Sequence, residues 1–210
     1  MKTGKVMPYS EKYANVSKTI EIFETFVLPF IQKNLGEQME AELRTIWQEG
    51  VKPIPADASA EEKYEAAYSN FIWMAKSNFA FLQKHMGPAG LAKFQRQEVE
   101  ELIRQKTSPA LALLEVMRTV SRGRAFLETA KSFSYQLQWI TPFSVRLMNQ
   151  KEAVYEIPNC KMLAYSDVED FCYLCCMSIY PAWVAEQFKV KMEFDRQEDK
   201  RCICTISPLW

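Results

Sequence analysis

The hydrophobic positions of the chain change period once, and that change divides it. From about Ser10 to Asn34, the residues Ile20, Phe23, Phe26, Val27, Phe30 and Ile31 recur at spacings of three and four, the mark of a helix with one apolar face. Gly36 lets the chain turn, and a shorter helix is predicted around Met39–Gln48. The stretch "VKPIPADAS" carries two prolines and excludes a continuing helix. Ser59-Ala-Glu-Glu62 then reads as a capping box, with the Ser59 hydroxyl placed to accept from the Glu62 amide while Glu62 reaches back. The helix it opens should run to His85 or Met86, where Gly87 and Pro88 end it. Another covers Ala89 to Gln105, and Ser108-Pro109 starts one more, interrupted at Gly123.

Near Pro142 the period falls to two. "SVRLM" and "AVYEI" flank the polar "NQKE", which predicts a hairpin whose second strand Pro158 stops. Ser166-Asp-Val-Glu169 is a second capping box, opening a helix from Val168 to about Gln187 with Pro181 as a kink or early end. "FKVKMEF" then alternates Phe188, Val190, Met192 and Phe194 against Lys189, Lys191 and Glu193, and "RCICTI" follows the charged turn "DRQEDK". The expected architecture is α+β: a single domain over 1–210, with a helical part (1–141) packed on a cysteine-rich part (142–210). In that part an antiparallel sheet is crossed by one helix, in the order β-β-α-β-β.

Charge narrows the partners. Twenty-six basic residues balance 26 acidic ones, so no global field draws the chain to nucleic acid or to an anionic membrane. The N-terminus has early lysines but no apolar h-region, and no apolar run is long enough for a transmembrane segment. The expected location is therefore cytoplasmic, and a partner must be recognised locally, with a homodimer admitted. In that compartment thiols stay reduced, so the six cysteines do not imply a disulfide framework.

Those cysteines are the candidate chemistry. In "FCYLCCMSIY", Cys172, Cys175 and Cys176 fall within an arc of roughly 100° on a helix and share a face. Cys202 and Cys204 lie on one side of a strand with Ile206, and Cys160 sits just after Pro158. A helix laid on the sheet would bring these thiols together. Taken one at a time each cysteine is more often a small core residue, and the co-facing arrangement is what shifts the balance. Cys172-x-x-Cys175 stands alone, so the spacing is not that of a zinc ribbon. Cys160, Cys172, Cys176, Cys202 and Cys204 form the candidate metal set, with zinc or an iron–sulfur cluster as the cofactors it admits.

The remaining candidates are structural. His85, the single histidine, is expected at a helix C-terminus in a capping or surface role. Tyr64, Tyr68, Phe71, Trp73, Phe79 and Phe81 are expected in the core, and "RQEVEELIRQK" on a solvated face with Glu100 paired to Arg104. No Gly-rich phosphate loop, nucleophile elbow or His-Glu-x-x-His is present.

The segment "NCKMLAYSDVEDFCYLCCMSIYPAWVAEQFKVKMEFDRQEDKRCICTI" resembles the C-terminal region of the L-2-amino-thiazoline-4-carboxylic acid hydrolase-like proteins, over about 50 residues. In that family a cysteine after the hairpin precedes a helix with a Cys-rich turn, and the last strand carries a cysteine followed by alternating apolar residues. Cys160, Cys172 or Cys176, and Cys202 or Cys204 occupy the matching places. The strand–strand–helix–strand–strand order is also similar to vinyl-reductase-type small-molecule-binding domains. The resemblance implies a ligand cavity between helix and sheet with thiols in its wall. Two readings follow from it. One is a hydrolase acting on a small cyclic amidine or amide, with Cys172 or Cys176 as nucleophile or metal ligand and Asp170 or Glu169 as acid–base partner. The other is a non-catalytic sensor or carrier of a small molecule, a metal or an iron–sulfur centre.

Overall fold

The computed structural model of the chain describes residues 5–105, 109–164, 172, 175–197 and 201–210. By its internal contacts the chain forms two compact units, Met7–Gln95 and Arg96–Trp210 with Met1–Val6.

The Met7–Gln95 unit is helical. Helix α1 (Tyr9–Ile22) continues through a π turn at Phe23–Val27 into α2 (Leu28–Leu35), which has a proline in its first turn. A proline ring lacks the amide hydrogen and crowds the carbonyl four residues back, and the wider turn ahead of Pro29 accommodates both defects without ending the helix. Gly36, at φ 95°, then redirects the chain into α3 (Glu37–Gly50). Gly50 must be glycine because a Cβ there would stand 2.1 Å from the Trp73 indole. That indole donates to the Ile46 carbonyl at 3.1 Å, which closes the last turn of α3.

After α3 the proline-rich loop is tied at its start by Asn70, and further on by Lys63 Nζ, which donates to the Ala56 carbonyl at 2.6 Å. The Asn70 carboxamide accepts from the Lys52 amide at 3.0 Å and donates to the Lys52 carbonyl at 2.8 Å, so it substitutes for a neighbouring strand. Helix α4 (Ala60–Gln105) begins with the expected capping box: Ser59 N–H donates to Glu62 Oε2 at 2.8 Å and Glu62 N–H to Ser59 Oγ at 3.3 Å. It bends at Gly87 (φ 60°, ψ −167°), immediately before Pro88, where the sequence separates two helices. Tyr64, Tyr68, Phe71, Phe79 and Phe81 are buried, while Trp73 is 38% exposed over Gly50. His85 is half-buried against the Phe81 ring, with Nε2 4.0 Å from Glu42 Oε1.

In the Arg96–Trp210 unit, α4 is followed by α5 (Pro109–Val120) and α6 (Arg122–Leu137). The break between them is at Ser121 (φ −154°, ψ 98°), which corrects the interruption expected at Gly123. Gly123 lies inside α6, beside the exposed Gln150 side chain, and makes no turn. Arg104 pairs with Glu101 at 2.8 Å, one turn position away from the expected Glu100.

The C-terminal third is the antiparallel sheet, with strands β1 (Ser144–Met148), β2 (Ala153–Ile157), β3 (Val190–Arg196) and β4 (Cys202–Pro208) in the spatial order β1-β2-β4-β3. The α+β class is thus observed. Asn149 closes the hairpin, its Oδ1 accepting from the amides of Lys151 at 2.7 Å and Glu152 at 3.0 Å. Between β2 and β3 run a short helix, α7 (Lys161–Ala164), a π turn at Cys175–Ile179, and α8 (Tyr180–Phe188) packed on β3. Pro181 sits in the first turn of α8 behind that π turn, which corrects the expected kink or early end. Phe188 closes α8 instead of opening β3, because Lys189 at φ 55° turns the chain between them. The capping box at Ser166–Glu169 lies outside the described residues, as does the predicted helix start at Val168.

Two variants probe these features. Asn70→Ala should lower the unfolding free energy by about 1–2 kcal/mol in urea titrations, because it removes two part-buried hydrogen bonds that tie the exposed Lys52 backbone to a buried side chain. Glu98 is half-buried, and burial pushes its carboxyl from 4.5 up to about 7. The folded state therefore holds the extra proton between those values, so this contribution to stability is complete below pH 4.5 and lost as pH rises through about 7. Melting temperatures of Glu98→Gln across this window should lack the decline that wild type shows.

Candidate functional site

The pairing register arranges the inner face of the sheet in rows. Ala153, Ile206 and Met192 form one row, Tyr155, Cys204 and Phe194 the next, and Ile157, Cys202 and Arg196 the last. Residues two apart on a strand share a face, so each row lies about 7 Å from its neighbour. Helix α6 covers the middle row: the Tyr155 hydroxyl donates to the Ala130 carbonyl at 2.7 Å, and Ser134 Oγ stands 3.3 Å from it. Burial pushes the Tyr155 phenol well above its ordinary range, so it remains a neutral donor.

At the last row the sheet and its covering helices leave a cavity of about 50 Å³. Its floor is Ile157, Cys202 and Arg196, and Phe133 and Leu137 of α6 form one wall. Cys176, Met177 and Tyr180 face it from the π turn and the start of α8, and Cys172 from the helical position one turn earlier. The loop after β2 supplies Cys160, and α7, which follows it, supplies Met162 and Leu163. That loop is positioned by Thr141, whose hydroxyl accepts from the Lys161 amide at 3.0 Å and donates to the Asn159 carbonyl at 3.4 Å.

Four of the predicted site cysteines, Cys160, Cys172, Cys176 and Cys202, therefore line one cavity, from three separate stretches of chain. Cys204 does not. It is fully buried in the middle row, paired with Tyr155 and Phe194, so of the two strand cysteines Cys202 is the one that reaches the cavity. Asp170 and Glu169 lie outside the described residues, as does the Cys175 side chain. The described cysteines carry thiols. Burial, and then the neighbouring Cys160 and Cys172, pushes the Cys202 thiol up to about 12, and the same desolvation raises Cys204. The Cys202 Sγ also lies 3.9 Å from the Ile203 carbonyl, the geometry of a protonated thiol acting as a weak donor.

The described wall is apolar at its surface, and the polar residues Thr141, Tyr180 and Arg196 line it only with their apolar atoms. Among the described residues of the wall there is no aspartate, glutamate or histidine. Among the described residues no three or more Cys, His, Asp or Glu side chains are grouped so as to hold a metal ion, so no zinc or iron–sulfur cage of three or four protein ligands is present there. Nor is any described helix long and apolar enough to cross a membrane.

Sequence reasoning missed Arg196 and Thr141. Arg196 becomes visible only through the register that sets it opposite Cys202, and Thr141 carries no pattern of its own. Compared with protein-family models, with curated proteins and with solved structures, the chain gave no match.

Proposed function

We propose that the Arg96–Trp210 unit is a binding module of the sensor or carrier kind, with its ligand seated among Cys160, Cys172, Cys176 and Cys202. The observation that carries this reading is the convergence of those four thiols on one apolar cavity. Burial of a lone cysteine is ordinary, whereas four from a loop, a helix and a strand around shared empty space leave packing unfilled for a purpose. Size and charge support binding over turnover. The cavity is about 50 Å³, roughly a third of the 150 Å³ that holds a benzene ring. A cyclic amidine would have to force the walls apart, and the described wall offers no carboxylate or imidazole to move its protons.

The hydrolase reading keeps one support: Cys172 and Cys176, its nucleophile candidates, do face the cavity. On that reading Asp170 serves as the acid–base partner. Xenon NMR, with a probe of one apolar atom, separates the readings when combined with a turnover assay on small cyclic amidines and amides. The binding-module reading expects xenon to enter the wild-type cavity, Cys176→Phe to exclude it, and no substrate to be consumed. Turnover that disappears in Cys172→Ser or Cys176→Ser would replace it with the hydrolase. Alkylation rates followed by mass spectrometry give a second check: Cys202 should react slowly near neutral pH and still be accelerating at pH 10, given a thiol pushed up to about 12.

A further inference from the structure

The chemistry of the wall narrows the ligand class, in a step that rests on the binding-module reading. We infer that the cavity takes a single soft, monovalent d10 cation such as cuprous ion, held between the sulfurs of Cys160 and Cys202. Thiolates select such ions over hard cations, which want carboxylate ligands that the described wall does not offer. The ion is also small enough for about 50 Å³, where a ring is not.

Ligand number points the same way. Among the described residues no three donors are grouped for a metal, which opposes a tetrahedral zinc or a cluster, but two-coordinate binding asks for only two sulfurs. The two named cysteines belong to one end of the sheet. Cys202 pairs directly with Ile157, and Cys160 follows Ile157 by three residues, in the loop that Thr141 ties down. With sulfur–metal distances of about 2.3 Å, the two sulfurs of the loaded site would stand about 4.5 Å apart.

The step is an exchange without electron transfer. Each thiol loses its proton to solvent, two sulfur–metal bonds form, and the resulting bis-thiolate complex carries one negative charge. An uncompensated charge in an apolar cavity is costly. Arg196, directly opposite Cys202 in the sheet, supplies positive charge that favours the Cys202 thiolate.

The test is anaerobic titration of the full chain with cuprous ion under a competing chelator, with a pH-stat to count protons. The expected result is one ion per chain, with about two protons released for each. Cys160→Ser and Cys202→Ser should each weaken binding by more than the roughly 10–100-fold typical of losing an outer-sphere partner, while Cys204→Ala retains it. X-ray absorption of the loaded wild type should give two sulfur neighbours, a readout that does not depend on how the variants fold. No uptake by wild type, no proton release, or three to four sulfur neighbours would overturn the inference, as would zinc binding of equal strength. If xenon still enters while cuprous ion does not bind, the metal inference falls and the binding module stands. If neither binds, both fall.

Discussion

The site depends on the pairing register of three strands. Because β2, β4 and β3 align Ile157, Cys202 and Arg196 side by side, a thiol, an apolar floor and a cation share one row of one face. A slip of one residue along any of these strands would turn its whole inward set to the other side. The alternation from Val190 to Glu193 protects against such a slip, since Val190 and Met192 are buried while Lys191 and Glu193 are exposed. Hydrophobic burial therefore fixes the position of groups whose own chemistry contributes little to folding.

The helices complete the cavity by departing from ideal geometry. The π turn at Cys175–Ile179 accommodates Pro181 and at the same time directs Cys176 and Met177 at the sheet. Such single-turn insertions recur at functional sites because they rotate a few side chains without breaking the helix. On the opposite wall, α6 is fixed to the sheet by Tyr155, whose ring lies between Phe133 and Phe143 and whose hydroxyl reaches the Ala130 carbonyl. One wall is thus anchored by a hydrogen bond from the sheet, and the other is shaped by a proline.

Much of this was legible in the residues. The Ser59–Glu62 box, the Gly87-Pro88 bend and the Asn149 hairpin are encoded within a few positions, so local chemistry decided them. The shared face of Cys202 and Ile206 followed from period two, and that of Cys172 and Cys176 from one helical turn. What escaped was decided at longer range. Phe188 fits a strand pattern as well as a helical one, and the αL turn at Lys189 that separates the two has no glycine to announce it. Glu101 and Glu100 are equally good partners for Arg104 by spacing, and side-chain reach chose the former. Arg196 and Thr141 entered the site through strand pairing and a loop contact that a single sequence does not display.

Cys202 and Cys204 stand two residues apart on the same face and lead different chemical lives. The first borders the cavity, while the second is sealed beneath Tyr155 with no exposed surface. The strand thereby separates a cavity-lining thiol from a sealed one within about 7 Å. Whatever attaches to the outer sulfur meets a row that the sheet can spare, and the row that holds α6 in place is insulated from it.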